Sequence, residues 1–191
     1  DKFYPRSFNM GIRRDVYLEL GGFSKMRFGE DIDFSIRIFK AGKRCRLFPK
    51  AWVWHKRRTD FRKFWRQVYN SGIARINLYK KYPESLKVVH LLPMIFTLGV
   101  LFLTLIILCG LLIIVCTSAK TLGCSLIFLG LLPLLLYSAT ICIDSTMQNH
   151  SLKIGFLSIR AAFYQLIGYG CGFINAWWKR CVCGKFPPIK I

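Results

Sequence analysis

Three carboxylates stand close together in Gly29-Glu30-Asp31-Ile32-Asp33, at the opening of a stretch with helical periodicity. Such a cluster has two readings. The positive end of a helix dipole favours Asp and Glu in a first turn, which requires no chemistry. Carboxylates that are partly desolvated or crowded by neighbours can also take the proton from an attacking hydroxyl, as a direct displacement requires. A second group stands further on in His55-Lys56-Arg57-Arg58. Its three cations could neutralise a diphosphate leaving group or a lipid phosphate, or simply anchor to anionic headgroups. His55 itself is a structural residue or a ligand. The eight cysteines include no CxxC pair and no Cys/His spacing suited to zinc. Cys181 and Cys183 are free thiols or acylation sites, and no disulfide framework is expected.

The elements that must position these groups can be read from periodicity and punctuation. Asp15 is placed to cap a short helix over 16–20, which Gly21-Gly22 would stop. A second helix is predicted over 30–41, with Ile32, Ile36 and Phe39 on one face and Gly42 as its left-handed stop. Residues 44–48 and 51–55 are predicted as strands, the latter with Trp52 and Trp54 on one side. From 61 to 82, Phe61, Phe64, Trp65, Val68, Tyr69, Ile73, Ile76 and Tyr79 recur at helical spacing opposite Arg62, Lys63, Arg66 and Arg75. That is a basic amphipathic helix, suited to anionic lipid or to packing on its own domain.

Charge and hydropathy divide the 191 residues at Lys87. Residues 1–87 hold 22 Lys and Arg against 8 Asp and Glu, whereas 88–191 hold 7 against 1. Between Val88 and Cys116 the only ionisable group apart from cysteine is His90, and between Thr121 and Ile143 there is no charged residue. Each run exceeds the roughly 20 apolar residues that cross a bilayer. Spans are predicted at about 89–116 and 121–143. The third stretch, 154–178, carries Arg160, Gln165 and Asn175 and ends in Trp177-Trp178-Lys179-Arg180. With a cytoplasmic head, a third crossing would export Lys179, Arg180, Lys185 and Lys190 against the positive-inside rule. It is therefore either a third span or an interfacial helix.

The run from Asn9 to about Tyr82 resembles the end of the catalytic domain of family 2 glycosyltransferases. The likeness is carried by Asn9-Met10-Gly11-Ile12-Arg13-Arg14, Leu20-Gly21-Gly22-Phe23, the stretch Gly29 to Arg37, and Lys40-Ala41-Gly42. Phe48-Pro49 and Val53-Trp54-His55-Lys56-Arg57-Arg58 complete it, and the hydrophobic tail agrees in kind. The resemblance implies an α/β fold over residues 1–60, the C-terminal part of a Rossmann-like GT-A domain. An interfacial helix over 61–87 and all-α transmembrane helices over 88–191 would follow. It implies a nucleotide-sugar donor, a glycan or polyprenyl-linked acceptor, inversion at the anomeric carbon, and a role in cell-envelope or polysaccharide biosynthesis.

By the same resemblance Asp31 is the base and Glu30 orients the acceptor or its loop. Asp33 stabilises the helix start or binds an acceptor hydroxyl, and Asn9 and Gly11 line the acceptor pocket. Lys56, Arg57, Arg58, Arg66 and Gln67 would face a diphosphate or lipid phosphate. His55 would join a divalent cation, Mg or Mn, whose other ligands belong to the Asp-x-Asp half that precedes this region in the family. The chain opens on Asp1 and so reads as a piece of a longer enzyme, inactive alone. Where processive synthases carry a Gln-rich, Arg-Trp signature, this chain has Phe64-Trp65-Arg66-Gln67-Val68-Tyr69, a loose match that favours single-sugar transfer.

The expected location is the cell membrane, multi-pass, with the catalytic part cytoplasmic. The competing reading is a non-catalytic membrane protein whose basic head binds anionic lipid or a partner subunit. A nucleic-acid-binding head would explain the charge but not the ordered Gly-Gly-Phe and Glu-Asp features, so no nucleic-acid partner is expected.

Overall fold

Glycine punctuation sets the first helices. The computed structural model describes residues 7–56 and 59–184. Helix α1 (Arg14–Glu19) ends on Gly21 and Gly22, both with positive φ, and α2 (Glu30–Lys40) ends before Gly42 at φ 68°. Asp15 is not the cap of α1. It lies in the first turn and pairs with Arg13 at 2.8 Å. Four longer helices follow: α3 (Phe61–Lys81), α4 (Leu92–Cys116), α5 (Lys120–Asn149) and α6 (Leu152–Trp177). Asp60 caps α3 by accepting from the backbone N–H of Arg62 and Lys63.

The expected α/β layer is not formed. Among the described residues there is no β-strand, and residues 43–56 run outside any helix or sheet. A strand needs a paired strand to take up its N–H and C=O groups, and among the described residues no strand lies beside 44–48 or 51–55. What persists is local. Trp52 and Trp54 do share a side, with ring centroids 5.3 Å apart, and Ala51 donates back to the Phe48 carbonyl in a turn. The architecture of the described residues is all-helical.

Packing proceeds outward from α3. On one flank it holds α2, through Ile36, Leu78 and Tyr82. On the other it lies parallel to α6, the most extensive helix pair in the molecule. Phe61 and Trp65 meet Tyr164, while further along Ile76 packs with Phe173 and Ala176. The two backbones touch midway. A Cβ on Gly72 would stand 2.2 Å from the Tyr169 carbonyl oxygen, and one on Gly172 2.0 Å from that of Tyr69.

Helices α4 and α5 form an antiparallel hairpin, closed by Gly110, Gly123 and Gly130 at places where a Cβ would strike the facing helix. Val88–Cys116 and Lys120–Asn149 are long and apolar enough to cross a membrane, and almost none of either is buried within the protein. Leu98, Leu105, Phe102, Leu112, Leu135 and Leu136 all face outward.

Helix α6 meets this hairpin only near one end in the contacts described. Gly155 and Ser158 touch Cys142, Ser145 and Thr146, Phe163 meets Phe96 and Tyr137 edge to face, and Gly170 rests on Pro93 and Thr97. Along α6, the stretch from Gly155 to Phe163 meets Tyr137 to Thr146 of α5, and the stretch from Phe163 to Gly170 meets Pro93 to Thr97 of α4. Helix α6 therefore passes from α5 to α4 across the end of the hairpin where α4 begins and α5 finishes.

Candidate functional site

The acidic cluster splits in two once folded. Gly29 caps α2 with φ 85°, and a Cβ there would lie 3.3 Å from Ala74 Cβ and 3.4 Å from Leu78 Cδ1. Glycine is needed twice, for the left-handed backbone and for the approach to α3. This fixes which way each carboxylate turns: Asp33 goes inward, and Glu30 and Asp31 stay at the surface of a groove.

Asp33 is wholly buried. Its Oδ1 accepts from Lys81 Nζ at 2.6 Å and from the Tyr82 hydroxyl at 3.0 Å, and its Oδ2 accepts from Arg37 Nε at 3.1 Å. Arg37 then donates to the carbonyls of Leu20 and Gly22, which ties the loop after α1 to α2. Phe23 and Tyr17 close the same corner around buried Phe34. Burial pushes the Asp33 carboxyl up, but the hydrogen bonds from Lys81 and Tyr82 and the Lys81 charge outweigh it and hold it below the ordinary aspartate range. For Lys81 burial works downward, and the Asp33 partner more than compensates, so the ammonium is held above the ordinary lysine value. Charge is thus locked into this hub on both sides.

Glu30 and Asp31 line a groove of about 620 Å³ between the start of α2 and the flank of α3. Asp31 Oδ1 accepts from the N–H of Ile32 at 2.9 Å, and its carbonyl accepts from the Ser35 hydroxyl at 2.8 Å, which settles the first turn. Across the groove stand Lys63, Arg66, Gln67 and Arg75 of α3, with Arg27 from the preceding loop and Tyr169 from α6 at its edge. Two carboxylates and four cations share one cleft. A proton acceptor there sits close to groups able to carry developing negative charge.

Of the residues singled out from sequence, Glu30, Asp31, Arg66 and Gln67 are brought together in this groove. Asp33 lies behind it. Asn9 is on the surface, donating through Nδ2 to the Ala51 carbonyl at 3.2 Å, and Gly11 has open space where a Cβ would point. His55 and Lys56 are exposed on the stretch after Pro49, outside the groove lining. Arg57 and Arg58 lie outside the described residues. No group of three or more His, Cys, Asp or Glu among the described residues could hold a metal ion.

Sequence reading gave no site role to Arg37, Lys81 or Arg75. The Asp33–Arg37 spacing of four residues was a usable signal for an ion pair on one helix face. Lys81 lies 48 residues from Asp33, and no local pattern announces the contact.

Comparison with known proteins bears on the same residues. The family model described as glycosyl transferase family group 2 matches residues 8–142, more than half of the chain. A protein named probable glycosyltransferase YdaM, from Bacillus subtilis (strain 168), is 34% identical over 71 residues. That match covers 37% of this chain and 16% of the relative, so the chain spans a small part of the relative's length. No solved structure matches.

Proposed function

The chain belongs to glycosyl transferase family group 2, and from that premise we propose that it carries the acceptor-side half of a membrane-bound transferase site. The groove shared by Glu30, Asp31, Arg66 and Gln67 is the observation that supports this reading most directly. The donor is a nucleotide sugar and the acceptor a hydroxyl of a glycan or lipid-linked sugar. Helices α4 and α5 cross the bilayer, with the head on the cytoplasmic side.

In the reaction proposed, the acceptor oxygen attacks the anomeric carbon as the bond from that carbon to the diphosphate oxygen breaks. The configuration inverts. The hydroxyl proton passes to the Asp31 carboxylate, while Glu30 holds the acceptor or its loop in register. Arg66, Arg75 and Lys63 lower the cost of charge gathering on the departing diphosphate. Asp33 does not touch the acceptor in this scheme. Its bonds to Lys81, Tyr82 and Arg37 hold α2 so that its first turn faces α3. No step is assigned to a divalent cation.

The test is sugar transfer by the full-length protein carrying Asp31→Asn, with unfolding followed in parallel. Loss of a general base lowers the rate by about 10²–10⁴-fold, and the unfolding midpoint should hold. Full activity in the variant would remove Asp31 from the chemistry.

A further inference from the structure

A second groove, of about 690 Å³, opens between α3 and the end of α6. Its walls carry Arg27, Arg62 and Arg66 on one side and Lys179 and Arg180 on the other. Among the described residues lining it there is no carboxylate. Trp65 and Tyr69 supply the apolar wall, and Asn175 fixes Tyr69 by donating to its hydroxyl. Arg180 is only 7% exposed, and its described hydrogen bond is one long donation, 3.4 Å, to the Ile73 carbonyl. A guanidinium that deep is costly unless an anion meets it.

The level of the groove says which anion. Gly170 and Phe173 of α6 pack against Leu91, Pro93, Met94 and Thr97, where the apolar run of α4 begins. Lys179 and Arg180 follow within three turns, directly after Trp177 and Trp178, both exposed. Tryptophans followed by cations at the edge of an apolar span mark the headgroup layer.

We propose that this groove binds the phosphate of an anionic bilayer lipid, with Arg62, Lys179 and Arg180 around the headgroup and Trp65 and Tyr69 against its glycerol and upper chains. The site is separate from the Glu30–Asp31 groove but shares Arg27 and Arg66 with it. A lipid seated there would brace α3 against α6 and fix the Arg66 side chain from behind. The inference rests on the reading that α4 and α5 cross a bilayer.

The experiment uses the full-length protein in neutral detergent, titrated with phosphatidylglycerol or phosphatidylcholine and read by native mass spectrometry. The same protein is floated with vesicles of phosphatidylcholine alone and mixed with phosphatidylglycerol. Arg62→Gln with Lys179→Gln, both at exposed positions, should weaken phosphatidylglycerol binding roughly tenfold or more, at about 1 kcal/mol per lost cation. Removing the same charge elsewhere, as Arg44→Gln with Arg46→Gln, should change it less than about twofold. Arg180→Gln adds a third reading if it folds. Equal losses from the two double variants would reduce the effect to net charge and overturn the site. Displacement of the lipid by millimolar inorganic phosphate would assign the groove to a free anion instead. A protein that floats with neither vesicle would overturn the bilayer reading as well, whereas one that floats while the groove variants bind unchanged overturns only this inference.

Discussion

The head and the hairpin solve opposite problems. In the head, α2 and α3 bury a charge, Asp33, and hold it with Lys81, Arg37 and Tyr82, while Arg62, Lys63 and Arg66 face out. In the hairpin, α4 and α5 bury glycines and turn leucines and phenylalanines outward. A buried carboxylate is stable only where each oxygen finds a donor, and a leucine-coated surface only where water is absent. One chain thus shows two packing codes for two surroundings. Helices α3 and α6 form the seam.

Breaking each code should damage its own region. The largest effect is expected from Asp33→Ala, which strands Lys81 and Arg37 and should cost about 3–5 kcal/mol. Hydrogen exchange should then rise across α2 and the end of α3 and leave α4 and α5 protected. Equal loosening of both regions would dissolve the distinction. Next comes Gly172→Leu at the seam, which has to push apart two touching backbones at a cost of about 3 kcal/mol. Its exchange signature should appear in α3 and α6 together.

Acid and base supply a finer probe. Because Asp33 is held below its ordinary value near 3.8, its contribution is present above that value and fades as pH falls through the lowered one. Lys81, held above its ordinary value near 10.5, contributes below that value and stops doing so only as pH climbs through the raised one. Unfolding of the head should therefore be steep in acid, and Asp33→Asn should flatten that limb without altering the hairpin. The smallest effect is expected from Asp60→Ala. It removes the exposed cap of α3 and should lower the unfolding midpoint slightly, with local fraying of the first turn as the readout.

The features legible in sequence were those with a short period. The α2 helix and its Gly42 stop, the register of α3, and the two apolar runs follow from repeats of three to four residues or from unbroken hydropathy. The strands at 44–48 and 51–55 had the right local pattern. Pattern does not supply a neighbouring strand, and among the described residues none is formed. The candidate groove was half legible: Glu30 and Asp31 stood out, and the resemblance pointed Arg66 and Gln67 at a phosphate, but nothing local said that all four meet. Arg75 and Tyr169 enter through packing of α3 on α2 and α6, a relation between residues far apart in the chain. The placement of α6 was undecidable by hydropathy alone. Its contacts at Pro93–Thr97 and Tyr137–Thr146 show where on α4 and α5 it packs.

The seat of α6 on the hairpin also acts as a ruler. Since α6 rests on the hairpin ends and α3 rests on α6, at most two interhelical spacings, roughly 20 Å, separate the Glu30–Asp31 groove from the edge of the apolar slab. Backbone contact at Gly72 and Gly172 leaves that height no slack. The Glu30–Asp31 groove is thereby held at a set height above the start of the apolar run, a distance that any molecule reaching from one to the other has to span.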